Sequence, residues 1–444
     1  MDGKIDFGNE KVHKLLFKLA PPVMLAQLIQ ALYNIVDSLF IGKYDSKGLT
    51  ALSIIFPLQL LMIAIAVGTG VGLNSLISHF LGLKKKDIAD KISNMSSIIA
   101  LYSWFIFAGL TFLILPFYVK LQTSDSTIID YSIVYGRIVC VLSIGLFLES
   151  MWAKVLQAKG KMKLPMIDQI VGAIVNIVLD PILIFKCNLG ITGAAIATVI
   201  AQAISALILI KVGLKKSPNI EIYKTYLPKV YKLGLPNILM QSAYTFYIFG
   251  LNIILSGFSD AAVTTLGLYY KWQTFFFIPL GSLQTCIVPI ISYNYADKSI
   301  DRCKKTLNMA LLIGVVLMFL GTLCFELIPK QMVMVFTNES EVIDISSYAF
   351  RFIGISFIPM VTSLIYPVFF ESVGYVVRSS ILTVIRTVIC FVPLGYLFSR
   401  IGLFYFWLVY PTTEIITSII GFIFYKQFMK KERNNNMQYI KYKN

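Results

Sequence analysis

Long apolar stretches, separated by short charged or Gly/Pro-rich joints, run the whole length of the chain. They fall at 15–41, 50–81, 92–118, 131–152, 165–186, 190–211, 230–257, 261–294, 306–328, 343–371, 380–399 and 402–425. At about 20 residues per bilayer crossing, each is long enough to span a membrane as a helix. The pattern therefore predicts an all-α polytopic membrane protein with twelve transmembrane helices. It also sets the parts of the chain: an N-terminal segment at 1–14, a first lobe at 15–211, a linker at 212–229, a second lobe at 230–425 and a tail at 426–444. The tail, polar from Gln427 to Asn444, is expected to be disordered.

Two regularities organise those helices. Shifted by 214 positions, the sequence superposes on itself without a gap from Lys18 to Met95. Lys18 meets Lys232, Pro22 meets Pro236, Gln27 meets Gln241, Tyr33 meets Tyr247, Gln59 meets Gln273 and Asp87 meets Asp301; further along, Gly160 meets Gly374. Matches that include Lys, Gln, Asp and Pro point to duplication rather than to shared hydrophobicity. Two six-helix lobes follow, and because six is even both enter from the same face. The lobes are thus expected to be related by a pseudo-two-fold axis along the membrane normal, an arrangement found among transporters. Lysine and arginine supply the second regularity. Taking alternate joints, one side of the membrane collects 29 of them, both termini and the linker included, against 6 on the other. Basic residues accumulate in cytoplasmic loops, so both termini are expected in the cytoplasm.

Composition removes the alternatives. Of the 444 residues 57% are hydrophobic and 14% charged, with a mean hydropathy of +0.76. Soluble domains carry about a quarter charged residues, so a soluble enzyme is excluded, and little chain is left for an extramembrane domain. The net charge of +16 is explained by its alternation from joint to joint, with no nucleic-acid partner implied. The six cysteines have no paired spacing and the two histidines, His13 and His79, are far apart. Neither a disulfide framework, a metal site nor a histidine relay is suggested. The apolar stretch after Lys14 is too long for a signal-peptide core.

Polar residues inside apolar spans are costly, at about 2.5–3.5 kcal/mol for a charge at the bilayer centre, so they mark candidate chemistry. Asp37 lies near the outer end of the first span and Asp180 near the outer end of the fifth. Asn176 is one turn inward from Asp180 on the same face, and Thr198 in the descending sixth span reaches a comparable level. These four are read as one polar pocket in the first lobe. Burial and a neighbouring carboxylate both favour the protonated form of an acid. Such a pocket is therefore suited to taking up a proton, with sodium at Asp37 and Asp180 as the other candidate, and to biasing a two-state structure. Glu149, Glu371 and Glu414 read as structural, Glu371 with Arg378 for partner. Gln27, Tyr33, Phe56, Gln59, Gln241, Tyr244, Gln273 and Phe276 are candidates to line a substrate cleft, since aromatic and amide side chains accept flat, cationic or lipophilic guests.

Several segments together resemble the multidrug and toxic compound extrusion (MATE) transporters. They are Leu19-Ala20-Pro21-Pro22 with Gln27, Tyr33-Asn34, Asp37 and Gly42; Asn176 to Pro181 followed by Gly190 to Thr198; Gly234-Leu235-Pro236; and Pro289 to Asn294. The resemblance covers nearly the whole chain. It implies ion-driven export of varied, mostly cationic organic compounds from the cytoplasm of a bacterium by alternating access, through a cleft between two lobes, with no cofactor. In the proton-linked bacterial branch the N-lobe cation site corresponds to Asp37, Asn176, Asp180 and Thr198, and the first helix bends at the position of Pro22. Another branch uses acids in helices seven and ten for sodium. The seventh helix here has none, a departure that argues against sodium coupling in the second lobe. A lipid-linked oligosaccharide flippase of the same superfold is the alternative within transport, but only Arg137, Lys271, Arg351 and Arg386 are available inside the spans to make a basic cavity. A polytopic transferase would need a catalytic cluster on long loops, which the sequence lacks. The expectation is a monomeric multidrug antiporter of the cytoplasmic membrane, not an enzyme, working with small organic cations, the lipid bilayer and H+ or Na+, and able to confer antibiotic resistance.

Overall fold

In the computed structural model the apolar stretches are helices. Residues 6–44, 46–123 and 125–441 are described, with the side chains of 33–39, 42, 43, 46, 49 and 435–441 outside the description; no strand occurs among the described residues. The chain divides into two units, Met1–Glu10 with Phe17–Ser242 and Lys11–Leu16 with Ala243–Asn444.

The first unit holds α1 (Val12–Tyr44) from Phe17 onward, α2 (Ser46–Gly82), α3 (Lys86–Asn94), α4 (Ser96–Gln122), α5 (Ser126–Gly136), α6 (Ile144–Ala158), α7 (Lys163–Pro181) and α8 (Gly190–Gly213), and takes α9 (Ile220–Ser256) up to Ser242. The second takes the rest of α9, then α10 (Asp260–Phe276), α11 (Ile278–Ala296), α12 (Ile300–Leu327), α13 (Pro329–Met334), α14 (Ser340–Ile355), α15 (Phe357–Ser372), α16 (Val376–Val384), α17 (Val392–Ser399), α18 (Leu403–Phe406) and α19 (Val409–Lys441). Among the described residues ten helices or helix runs are long and apolar enough to cross a membrane, and counting two bent pairs, α10–α11 at 50° and α14–α15 at 49°, as one span each brings the number to twelve. Each bend has a proline just beyond it. Pro279 stands in the first turn of α11 and Pro359 near the start of α15, so neither supplies a backbone N–H across its break.

The repeat seen in the sequence recurs in the backbone. The start of α2 and the end of its span fall 214 positions before the start of α10 and the end of α11. Lys84 and Lys298, 214 apart, both adopt positive φ (58° and 60°), as do Gly160 and Gly374 (75° and 80°). A left-handed residue is costly outside glycine, so its recurrence at a fixed shift records a duplicated turn.

The helices are inside-out by the standard of soluble proteins. Along α4, Phe105, Leu113, Phe117 and Leu121 are about 70% exposed, as a lipid-facing surface requires. Small residues draw the helices together, since lipid offers no hydrophobic drive for association. In the first unit α2 carries Gly68 and Gly72 four apart against α9. A Cβ on Gly72 would lie 2.1 Å from the Val230 carbonyl oxygen, and one on Gly234 would lie 2.4 Å from that of Gly68. The tail corrects one expectation. It is not disordered from Gln427, because α19 continues through it to Lys441. Lys, Arg, Glu, Met and Gln are good helix formers, and the span has already met the cost of nucleation.

Candidate functional site

The polar cluster of the first unit is built where α7 meets α8. The two helices pack closely at Gly172, where a Cβ would lie 2.1 Å from Ser205 Oγ and 3.5 Å from the Ala201 carbonyl oxygen. Pro181 ends α7, and the backbone continues as a π-helical turn over Ile182–Lys186. Proline removes a donor from the i→i−4 ladder, and the wider register takes over, with the Cys187 N–H donating to the Ile182 carbonyl at 2.9 Å. Gly193 permits this turn to lie against α8, since a Cβ there would sit 2.7 Å from the Leu183 carbonyl oxygen. The C-terminal end of α1 closes the corner. Ile41 is buried with Ile184 and Ala194, and Phe40 and Tyr44 meet the Phe185 ring edge-on at 6.3 and 6.0 Å.

Within that frame Asp180 and Asn176 are fully buried, at 0% and 1% exposure. Asn176 Nδ2 donates to Asp180 Oδ1 at 3.4 Å and lies 3.5 Å from Thr198 Oγ1, which itself donates to the Ala194 carbonyl at 3.1 Å. Asn176 and Thr198 also line a cavity of about 90 Å³, together with Gln30, Glu149, Gln169, Gln202 and Ser205. That is room for several waters. A buried carboxylate, an amide and a hydroxyl gathered beside a water-sized space can bind and release a small cation. The side chains of Asp37 and Tyr33, also expected in the site and the cleft, lie outside the described residues.

The remaining cleft candidates are dispersed among local partners. In the first unit Gln59 Nε2 donates to Tyr135 Oη at 3.5 Å and Gln241 Nε2 donates to Asn237 Oδ1 at 2.6 Å. Phe56 is exposed and Gln27 half-buried. In the second unit Tyr244 Oη donates to Gln273 Oε1 at 3.2 Å, while Phe276 packs edge-on against Phe325. Pro22 lies within α1, whose helix runs through it.

A charged site that sequence reasoning did not assemble lies in the second unit. Arg386, in a π-helical turn over Ile385–Phe391, clasps Glu414 of α19 through Nη2–Oε1 at 2.6 Å and Nε to both carboxylate oxygens at 3.1 Å. Ser363 donates to the same carboxylate, and the guanidinium stands 5.2 Å from the Phe391 ring. Tyr247 stacks on Phe391 at 4.4 Å, and Tyr270 and Tyr410 share a hydrogen bond of 2.9 Å. The signal available in the sequence was two opposite charges inside apolar spans, but nothing there paired them. Arg378 reaches the Phe424 carbonyl at 3.0 Å. No group of three or more His, Cys, Asp or Glu suited to a metal ion occurs among the described residues.

Membrane-spanning helices drawn together by small residues, duplicated along the chain and carrying buried polar side chains within the spans, are an arrangement found among membrane transporters. The family model MatE matches residues 22–182 and 236–397, two matches that begin 214 positions apart. The chain belongs to the MatE family of transporters. It is 24% identical over 357 residues to the multidrug export protein MepA of Staphylococcus haemolyticus, and 25% identical over 364 residues to MepA of Staphylococcus aureus strain MSSA476, covering 78% of each chain in both cases. The solved outward-facing structure of a multidrug resistance MATE family transporter of the MOP superfamily superposes with a TM-score of 0.90 at 21% identity, over 98% of this chain and 99% of that one.

Proposed function

We propose that this chain exports organic, mostly cationic compounds across the bacterial cytoplasmic membrane in exchange for a proton, with Asp180, Asn176, Thr198 and Asp37 as the coupling site. The observation that carries the reading is the hydrogen-bonded set Asn176–Asp180–Thr198 at the α7–α8 contact, its amide and carboxylate buried, beside a cavity large enough for water. An ionised carboxylate there is expensive in a membrane, and a bound cation removes the cost. Cation uptake thereby changes which packing of α7, α8 and α1 is stable. Asp37 precedes Ile41 by one helical turn, and Ile41 packs at this corner, which supports its joining the set. Pro22 supplies the position at which α1 bends, because its missing N–H leaves a weak point in the helix.

Export of varied small compounds is supported by the relatives, which are multidrug export proteins, and cationic cargo by the aromatic and amide residue types at the candidate cleft positions. Tyr33, Phe56, Tyr244 and Phe276 offer ring faces for cation–π contact; Gln27, Gln59, Gln241 and Gln273 offer neutral hydrogen bonds. Both termini face the cytoplasm on this reading, by the distribution of lysine and arginine, and the chain acts as a monomer without a cofactor. The test uses the purified chain in liposomes loaded with ethidium. An imposed pH gradient should drive efflux in the wild type and not in Asp180→Asn. Efflux driven by a sodium gradient alone would replace the proton with sodium; undiminished efflux by Asp180→Asn would remove the coupling role.

A further inference from the structure

Along α7, Asp168, Gly172, Asn176 and Asp180 recur at every fourth position, and all four are buried. Residues so spaced share a helix face. Asp168 lies toward the start of α7, about 18 Å from Asp180 at 1.5 Å per residue. Here α6 brings up Glu149. The two carboxyls come within hydrogen-bonding reach of each other, with Gln169 beside them. Ser150 donates to Glu149 Oε2 at 3.3 Å. Glu149 Oε1 and both Asp168 oxygens are buried without a well-formed hydrogen bond, the Gln169 side chain near Glu149 and the Asp168 and Gln169 backbone N–H groups near Asp168 being the donors at hand. Two acids in such contact cannot both carry charge unless a cation lies between them.

A second observation is independent of the acids. Asn176, 1% exposed, also has its Oδ1 unpartnered, and it lines the same cavity as Glu149 and Gln202. One cavity with room for several waters thus touches both Asn176 and Thr198 and Glu149. The other groups facing the pair are few: α8 contributes Gln202 and Ser205, whose hydroxyl donates to the Asp168 carbonyl at 3.0 Å, and α1 contributes Gln30. On α6 itself Lys154 acts electrostatically on Glu149, its stem lying against Gly70 of α2.

We infer that Glu149 and Asp168 form a second ion site in the first unit, one proton held between their carboxyls, through which the ion exchanged at Asp180 passes toward the start of α7. The inference rests on the coupling role proposed above for Asp180. No bond to carbon changes: the proton moves from one carboxyl to the other and onward through cavity water. The full chain in liposomes, with Glu149→Gln and Asp168→Asn, tests it. Each variant should slow ethidium efflux driven by a pH gradient about tenfold and shift its dependence on the pH of the α7-start side, while ethidium binding to the purified protein changes less than twofold. The infrared carboxylic-acid band of the wild type at pH 7 should lose intensity in both variants. An unchanged pH profile with an unchanged band would overturn the inference even if Asp180→Asn abolishes coupling. If instead Asp180→Asn leaves coupling intact while Glu149→Gln destroys it, the coupling role of Asp180 fails, and with it the passage between the two sites.

Discussion

Replacing Glu414 with alanine strips Arg386 of a partner that it holds at 2.6 and 3.1 Å, with both residues nearly or fully buried. The guanidinium keeps its charge at any accessible pH, so the variant leaves a buried positive group beside the Phe391 ring without its carboxylate. Removing one partner of a buried pair costs about 3–5 kcal/mol. At 1.36 kcal/mol per factor of ten, that is about two to nearly four powers of ten in the unfolding equilibrium. Replacing the pair with apolar residues of similar volume, Arg386→Met with Glu414→Leu, removes both charges and both desolvation costs and should return to within about 1 kcal/mol of the wild type. Equilibrium unfolding of the purified chain by sodium dodecyl sulfate in mixed micelles measures both variants. A cost below about 1 kcal/mol for Glu414→Ala, or a double variant as unstable as the single one, would refute the reasoning.

Gly72→Ala should weaken the first unit by about 1–3 kcal/mol by overpacking, because the new methyl meets the Val230 backbone. Gly267→Ala in α10 has open space around it and should instead stabilise by about 0.5–1 kcal/mol; the same unfolding titration reads both. Asp125 lies between α4 and α5, where the Lys47 ammonium at 2.8 Å and then the Ile128 and Thr127 amides hold its carboxyl below the usual range. A group whose pKa is lowered on folding contributes stability that is present above its unfolded value and lost as pH falls through the folded one. The difference in thermal midpoint between wild type and Asp125→Asn should therefore be constant at neutral pH and shrink on acidification below about pH 4; a difference that grows in acid would contradict the assignment.

Helix positions were legible because twenty-residue apolar runs have few other fates, and the duplication because polar residues recur at one shift. The breaks were harder. The stretch at 261–294 reads as one continuous helix, and only Pro279 hints that it turns by 50° at Phe277. The α7 stripe was only half seen. Asn176 and Asp180 stood out near the end of a span, whereas Asp168, four positions before Gly172, lies where charged residues commonly mark a helix entering the headgroups. It is fully buried, with the Ser205 hydroxyl of α8 on its main-chain carbonyl, which spacing alone does not convey. Arg386 and Glu414 are 28 positions apart in two consecutive spans, and a contact between separate helices leaves no local periodicity to detect.

Proton release on drug binding tests the central claim most directly. With the purified chain in weakly buffered detergent at neutral pH, adding saturating ethidium should displace about one proton per bound drug from the wild type, by exchange at the coupling site. Asp180→Asn should bind ethidium and release none. Equal release from both proteins would contradict the account.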